Sequence, residues 1–196
     1  MMEMRKDTCI VRKEFKTLDA LKKEINIYIT IRNRVSVPDI IGRQQNTLVL
    51  SYIHGRTALE ILEEQEHIYQ QRKEDVDWQI WDCLLEYLFL FYSEMNWQAH
   101  ESTCLGDLNL NNFIYEEEEQ VFYGVDFAHC HEGEREHDIA NLVSNILMHR
   151  PEHSEYKERL AAYLIEKISK YMDIDRQKLE NYRKKEIARI MLERKK

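Results

Sequence analysis

Turn-forming residues are scarce in this chain, which has five glycines and two prolines in 196 residues. A typical globular protein carries roughly 12% of the two together. The chain is therefore short of turns and should be rich in helix. Long apolar runs are missing too, and nothing approaches the ~20 residues needed to span a bilayer. The opening Met1-Met2-Glu3-Met4-Arg5-Lys6 has neither an apolar core nor a small-residue cleavage site, so no secretory signal is expected and the cytoplasm is the expected location. Paired cysteines are lacking as well. Cys9, Cys83, Cys104 and Cys130 are scattered without CxxC spacing, which in a reducing compartment reads as four buried or half-buried thiols and no disulfides. Positive charge is in deficit, with 28 Lys and Arg against 36 Asp and Glu, a net charge of −8 and a pI near 5.5. That balance argues against nonselective binding to phosphate backbones or anionic membranes, so no nucleic acid partner is expected.

What is present is a globular composition, 43% hydrophobic and 10% aromatic, too apolar for a disordered chain. Residues 8–15 are β-branched and aromatic enough for a strand. A helix over 18–32 follows, its apolar positions Leu18, Leu21, Ile25 and Ile29, with Tyr28 as a further candidate, forming one stripe expected to face a core. Val37-Pro38-Asp39 breaks it. Residues 40–42 and 47–53 read as two antiparallel strands ended by His54-Gly55. Thr57 with Glu60 three positions on is a capping-box pattern that starts another helix.

Beyond a polar run over 63–77, the residues Trp81, Leu84, Leu85, Leu88, Phe89, Phe91, Tyr92 and Met95 make a broad apolar face, the expected central buried helix, with Trp97 also read as core. Residues 112–115 and 120–126 read as two strands joined by four glutamates. From 138 onward the pattern is helical, with Leu160, Tyr163, Leu164, Ile168 and Tyr171 expected to pack inward. A basic amphipathic stretch over 183–196 is a candidate surface for a protein partner. No internal repeat or Ser/Gly-rich linker is visible.

The chemistry concentrates in Leu105-Gly106-Asp107-Leu108-Asn109-Leu110-Asn111-Asn112, followed by Gly124-Val125-Asp126-Phe127-Ala128. A carboxylate, an amide five positions on, a hairpin and a second carboxylate can together hold a metal nucleotide. Carboxylate and amide oxygens are hard ligands suited to Mg²⁺, which takes few protein ligands and completes its shell with water and phosphate oxygens. The remaining carboxylate can orient a hydroxyl and accept its proton. Phosphoryl transfer needs little more than such positioning and charge neutralisation. His129-Cys130-His131, with His137 nearby, lacks the usual zinc pairing and reads as a polar loop.

These motifs resemble the protein-kinase-like superfamily, and more closely its phosphotransferase branch of aminoglycoside and choline kinases. That branch's HGDLxxxN and IDF brackets are matched by Leu105-Gly106-Asp107-Leu108 with Asn112, and by Val125-Asp126-Phe127. The resemblance implies an α+β, bilobal protein-kinase-like fold. A reduced N-terminal β-sheet lobe would cover residues 1–55, and a mainly helical C-terminal lobe residues 56–196. It implies ATP and Mg²⁺ as cofactors, Asp107 as base, and Asn112 and Asp126 as metal ligands. Lys13 would contact the α and β phosphates, with Glu24 as its helix partner. Arg12 would take that place if the strand register slipped by one. Ser51, Tyr52 and Ile53 would form the hinge that meets adenine, and Asp138 would brace the catalytic loop. The acceptor would be a hydroxyl of a small molecule or protein, and His129 or Glu132 in the loop after Asp126, with Asn109 and Asn111 in the catalytic loop, would be the candidates to touch it.

Two departures qualify the resemblance. Only eight residues precede Cys9, too few for the Gly-rich hairpin that covers phosphates in the family, so the expectation is an upper lobe without that lid. Leu105 stands where the family usually has histidine. A scaffold of the same fold that does not turn over is therefore the alternative reading, and a start internal to a longer reading frame is a third.

Overall fold

The computed structural model describes residues 9–73, 78–99 and 103–194, without the side chains of 96–99. The reading of residues 1–6 and of the Trp97 side chain therefore lies outside the described residues. Strand β1 (Ile10–Glu14), helix α1 (Leu18–Ile31), β2 (Ile40–Gln44) and β3 (Thr47–Ser51) open the chain. The three strands form one antiparallel sheet in the order β1-β3-β2. Its register sets Lys13 opposite Leu48. Leu48 and Leu50 are buried under the sheet, while a bulge between Ile40 and Gly42 bends the β2 edge.

Helix α1 begins where the Thr17 hydroxyl accepts the Ala20 amide, an N-cap that satisfies one of the four free donors. Its buried face differs from the expected stripe. Leu18 and Ile29 are 45% and 50% exposed, whereas Leu21, Glu24, Ile27, Tyr28 and Ile31 point inward. These five keep the three- and four-residue spacing of one helix face, but two of them are polar. The expected stripe shares Leu21 and Tyr28 with that face, but an apolar count cannot include Glu24, which turns inward to Lys13 on a distant segment.

The helical part follows. A two-residue strand β4 (Arg56–Thr57) leads into α2 (Ala58–Arg72). There the Thr57 hydroxyl accepts the Glu60 amide at 3.2 Å and the Glu60 carboxylate accepts the Thr57 amide at 2.7 Å. That is the reciprocal capping box read from the sequence. Helix α3 (Gln79–Ala99) and β5 (Thr103–Cys104) come next, then a single 3-10 turn, Leu110–Asn112. Hairpin β6 (Phe113–Glu116) and β7 (Val121–Gly124) pairs with β4 in the order β4-β6-β7. Strand β8 (His131–Glu132) pairs with β5, and α4 (Arg135–Met148), α5 (Glu155–Tyr171) and α6 (Arg176–Glu193) close the fold.

Helix α3 buries Trp81, Leu84, Leu85, Leu88, Phe91 and Tyr92 on one face. The most enclosed helix is nevertheless α4, buried from Asp138 to Ser144 and again from Ile146 to Met148. Asp138, Asn141 and Ser144 disguised it in the sequence, because buried polar residues do not read as core; Asp138 and Asn141 have internal partners, while the Ser144 hydroxyl has none among the described residues. Tyr171, expected inward, is 62% exposed. Cys9 is exposed rather than buried, Cys83 half-buried, and Cys104 and Cys130 buried, all four as free thiols. Helix α6 lies against α4, with Leu179 and Ile190 buried. No described helix is long and apolar enough to cross a membrane.

Candidate active site

The alternation of β1 turns Lys13 inward, while Arg12 stays exposed. Lys13 Nζ donates to both oxygens of Glu24, at 2.6 and 2.8 Å, and to Asp126 Oδ1 at 2.7 Å. One ammonium thus joins the upper sheet, helix α1 and the segment after β7. Burial works against ionisation of Asp126, but the Lys13 ammonium and the Ala128 amide outweigh it and hold the carboxyl below its usual range. Glu24 is more deeply enclosed, and there burial prevails over Lys13 and pushes the carboxyl up.

Asp126 is fixed from three directions. The Ala128 amide donates to Oδ1 at 3.0 Å. The Tyr28 hydroxyl donates to the neighbouring Val125 carbonyl at 3.0 Å. Phe127 is edge-on to Tyr28 at 5.0 Å and stacked on Phe91 at 6.1 Å. Among the described residues Asp126 Oδ2 receives no hydrogen bond, so it is the oxygen left for a ligand.

Asn112 ends the 3-10 turn rather than starting a strand. Its Nδ2 donates to the Asp107 carbonyl at 3.3 Å, and its own carbonyl accepts the Val125 amide at 3.0 Å. With the amide nitrogen so engaged, Oδ1 is the free end. Asn112, Asp126, Lys13, Ser51, Tyr52 and Ile53 all border one cleft of about 360 Å³. Asp107 itself is half-buried and is not on that wall. Its carbonyl touches Asn112, and its carboxylate accepts no hydrogen bond from the described residues.

Gly106, just before Asp107, has φ +77°, and a Cβ there would stand 2.3 Å from the His129 carbonyl. Only glycine lets the 105–108 loop press so closely on the 126–131 segment. The Asp138 carboxylate accepts the Leu105 amide at 2.6 Å, the Gly106 amide at 3.0 Å and the Tyr92 hydroxyl at 2.8 Å. Leu105 fills buried space where its side chain needs no polar partner. A further brace went unread in the sequence. Asn141 Oδ1 accepts the Leu108 amide at 3.0 Å, and its Nδ2 donates to Glu186 of α6 at 2.7 Å. Its signal is faint, a polar residue three positions after Asp138 on the same helix face.

Of the flanking candidates, Asn109 caps the 3-10 turn by accepting the Asn111 amide. His129 and Glu132 are exposed. His131 Nδ1 meets the His129 carbonyl at 2.9 Å, and His137 lies edge-on to Tyr182. Among the described residues no cluster of three His, Cys, Asp or Glu side chains could hold a metal ion. The hard-oxygen pair of Asn112 and Asp126 matches what Mg²⁺ takes from a protein when phosphate and water supply the remaining ligands.

The sequence of residues 42–179 matches the model of the phosphotransferase enzyme family, APH. The chain belongs to that family. An aminoglycoside phosphotransferase, APH(3'')-Id from Streptomyces rimosus, solved with ADP and streptomycin, superposes with a TM-score of 0.52. It is 14% identical over 88% of this chain and 83% of that one. A second structure of APH(3'')-Id gives 0.50 at 15% identity over 88% and 82%. Choline kinase LicA from Streptococcus pneumoniae gives 0.47 at 13% identity over 90% and 74%. No curated protein sequence matches. The phosphotransferase thus has the mixed α+β, kinase-like fold that the motifs implied, with small sheets and a helical majority.

Proposed function

We propose that this phosphotransferase moves the γ-phosphoryl group of ATP to a hydroxyl, with Mg²⁺. One observation carries the reading. Lys13 joins Glu24 and Asp126 at the edge of a cleft that Asn112 and residues 51–53 also border. A cation held by two carboxylates, beside two free hard oxygens, suits a phosphate chain with its metal.

In this mechanism the adenine lies against Ser51, Tyr52 and Ile53, and the phosphates run toward Lys13. Glu24 keeps the ammonium in place, and the salt-bridged ammonium neutralises phosphate charge. Asn112 Oδ1 and the free oxygen of Asp126 would hold Mg²⁺, which supplies charge neutralisation on the phosphates. Asp107, its carboxylate free of donors among the described residues, accepts the acceptor's hydroxyl proton. The new bond joins acceptor oxygen to the γ-phosphorus, the bond from that phosphorus to the β-bridging oxygen breaks, and ADP leaves. Asp138 and Asn141 hold the loop so that Asp107 need not be ordered at the moment of reaction. The compound bound with ADP in the structure of APH(3'')-Id, streptomycin, is a small molecule, which favours a small acceptor over a protein one here.

A thermal-shift titration with ATP, with and without Mg²⁺, tests the reading, because a ligand that binds the native state raises the melting temperature. The expected result is a rise that needs Mg²⁺ and is lost in Asp126→Ala, with ADP formed in the presence of an acceptor. Absence of any nucleotide-dependent shift refutes it, and binding without ADP formation against any acceptor returns the scaffold reading.

A further inference from the structure

The catalytic loop borders two hollows. Asn112 faces the nucleotide cleft, while Asn109 and Asn111 border a second hollow of about 200 Å³, closed by Leu59 of α2, Asn145 and Met148 of α4, and Ile190 of α6. Asp107 begins the loop that separates them.

The polar groups free in this second hollow follow from the bonds already made. Asn109 Oδ1 accepts the Asn111 amide at 3.0 Å and Asn111 Nδ2 at 3.1 Å. Asn145 Nδ2 donates to Asn141 Oδ1 at 3.2 Å and the Leu108 carbonyl at 3.4 Å. Among the described residues Asn109 Nδ2 is therefore left as a donor, and Asn111 Oδ1 and Asn145 Oδ1 are left as acceptors. Leu59, Met148 and Ile190 supply apolar surface. Neutral amides around an apolar floor match a ring whose edge carries hydroxyls and whose faces are CH groups, since each hydroxyl both donates and accepts.

Charge decides against the alternative class. Among the described residues no carboxylate borders the hollow. The two ionisable groups that do are Arg194, bound to Glu152 and the Met148 carbonyl, and His149, whose Nε2 meets Glu63 at 2.9 Å. The carboxylates nearest the hollow, Glu152 and Glu63, are already engaged by Arg194 and His149, so a cationic acceptor entering here would give up water without gaining a free anionic partner.

We infer that this second hollow is the acceptor subsite and that it takes an uncharged polyhydroxylated ring, a sugar or cyclitol, in preference to an amine-bearing acceptor. The inference rests on the phosphotransferase reading for what happens to the ring. Its hydroxyl oxygen gains the γ-phosphoryl group, its proton goes to Asp107, and ADP departs. Where the ring binds does not depend on that reading.

The experiment has two arms on the intact chain. Saturation-transfer NMR with glucose, ribose and myo-inositol as neutral probes, and choline and kanamycin as cationic ones, reads binding without nucleotide. ADP release with ATP and Mg²⁺ reads turnover with the same five compounds. The expected result is that at least one neutral probe binds and is phosphorylated with a kcat/KM at least tenfold above either cation. Asn111→Leu, on the exposed loop, and Asn145→Leu should each weaken that probe at least tenfold while the ATP-dependent thermal shift stays as it was. Preference for choline or kanamycin overturns the inference. So does binding of no neutral probe, or binding that neither variant weakens. Loss of the ATP shift in the unaltered chain refutes the phosphotransferase reading instead, and leaves the binding arm to judge the hollow.

Discussion

Lys13 and Asp126 are 113 positions apart in the chain, yet Lys13 Nζ lies 2.7 Å from Asp126 Oδ1. The same nitrogen also holds Glu24, so a single side chain couples the upper sheet, helix α1 and the segment that follows β7. Each of the three groups makes sense only with the other two, because an unpaired charge in a partly closed cleft is costly.

Replacing Lys13 with Met should therefore destabilise the chain through Glu24, which is buried and would lose its cation. A fully buried pair loses ~3–5 kcal/mol when one partner is removed; Lys13 keeps some contact with solvent, so we expect about 2–3 kcal/mol. Urea midpoints measure it. Adding Glu24→Gln should recover more than half of the loss, and equal stability of the single and double variants would show that Glu24 was never stranded.

Acidification supplies a second check. Burial favours the protonated form of Asp126, but Lys13 and the Ala128 amide prevail and hold its carboxyl below the ordinary 3.8. A carboxyl whose folded value is depressed contributes stability above its unfolded value, and that contribution is lost as pH falls through the folded value. The unaltered chain should thus lose stability below about pH 4 more steeply than Asp126→Asn. Parallel curves of unfolding free energy against pH would contradict the pairing.

Asp107→Asn separates chemistry from structure. The carboxylate accepts no hydrogen bond from the described residues, so unfolding free energy should stay within about 0.5 kcal/mol and the ATP-dependent thermal shift should persist. ADP formation should fall by roughly 10²–10⁴, the contribution of a positioned base. Turnover near that of the unaltered chain would remove Asp107 from the proposed mechanism.

Helix α6 reaches the catalytic loop through Asn141, whose Nδ2 donates to Glu186 at 2.7 Å while its Oδ1 accepts the Leu108 amide. Glu186→Leu leaves that amide donor buried without a partner, costing about 1–3 kcal/mol. The Leu108 amide should also exchange its hydrogen faster. Glu186→Gln keeps an oxygen facing Asn141 and should restore protection. If both variants protect Leu108 equally, α6 does not hold the loop.

The order of Asp107, Asn112 and Asp126 was legible because they lie close in sequence, where a loop, a turn and a hairpin impose the spacing locally, but the structure sets only Asn112 and Asp126 on one cleft wall. The capping box at Thr57 and Glu60 was legible for the same reason. The inward face of α1 was legible only in part. The apolar stripe held Leu21 and offered Tyr28, both buried, but also took in the exposed Leu18 and Ile29 and could not include Glu24, which the helix turns toward Lys13. Helix α4 escaped notice as the most enclosed element because Asp138, Asn141 and Ser144 look like surface until their surroundings are known.

The amino-acid order alone determined the helical majority, the strand pair at 40–51, the cap at Thr57 and the order in which oxygen-bearing side chains follow one another through the loop. These depend on hydrogen bonds and side-chain spacing within a few residues. Tertiary structure alone decided that Lys13 rather than Arg12 turns inward, that Asn112 and Asp126 share a wall while Asp107 stands beside it, and that α6 reaches the loop through Asn141. Those contacts span tens of residues, and their partners become neighbours only when packing of the core brings distant segments together.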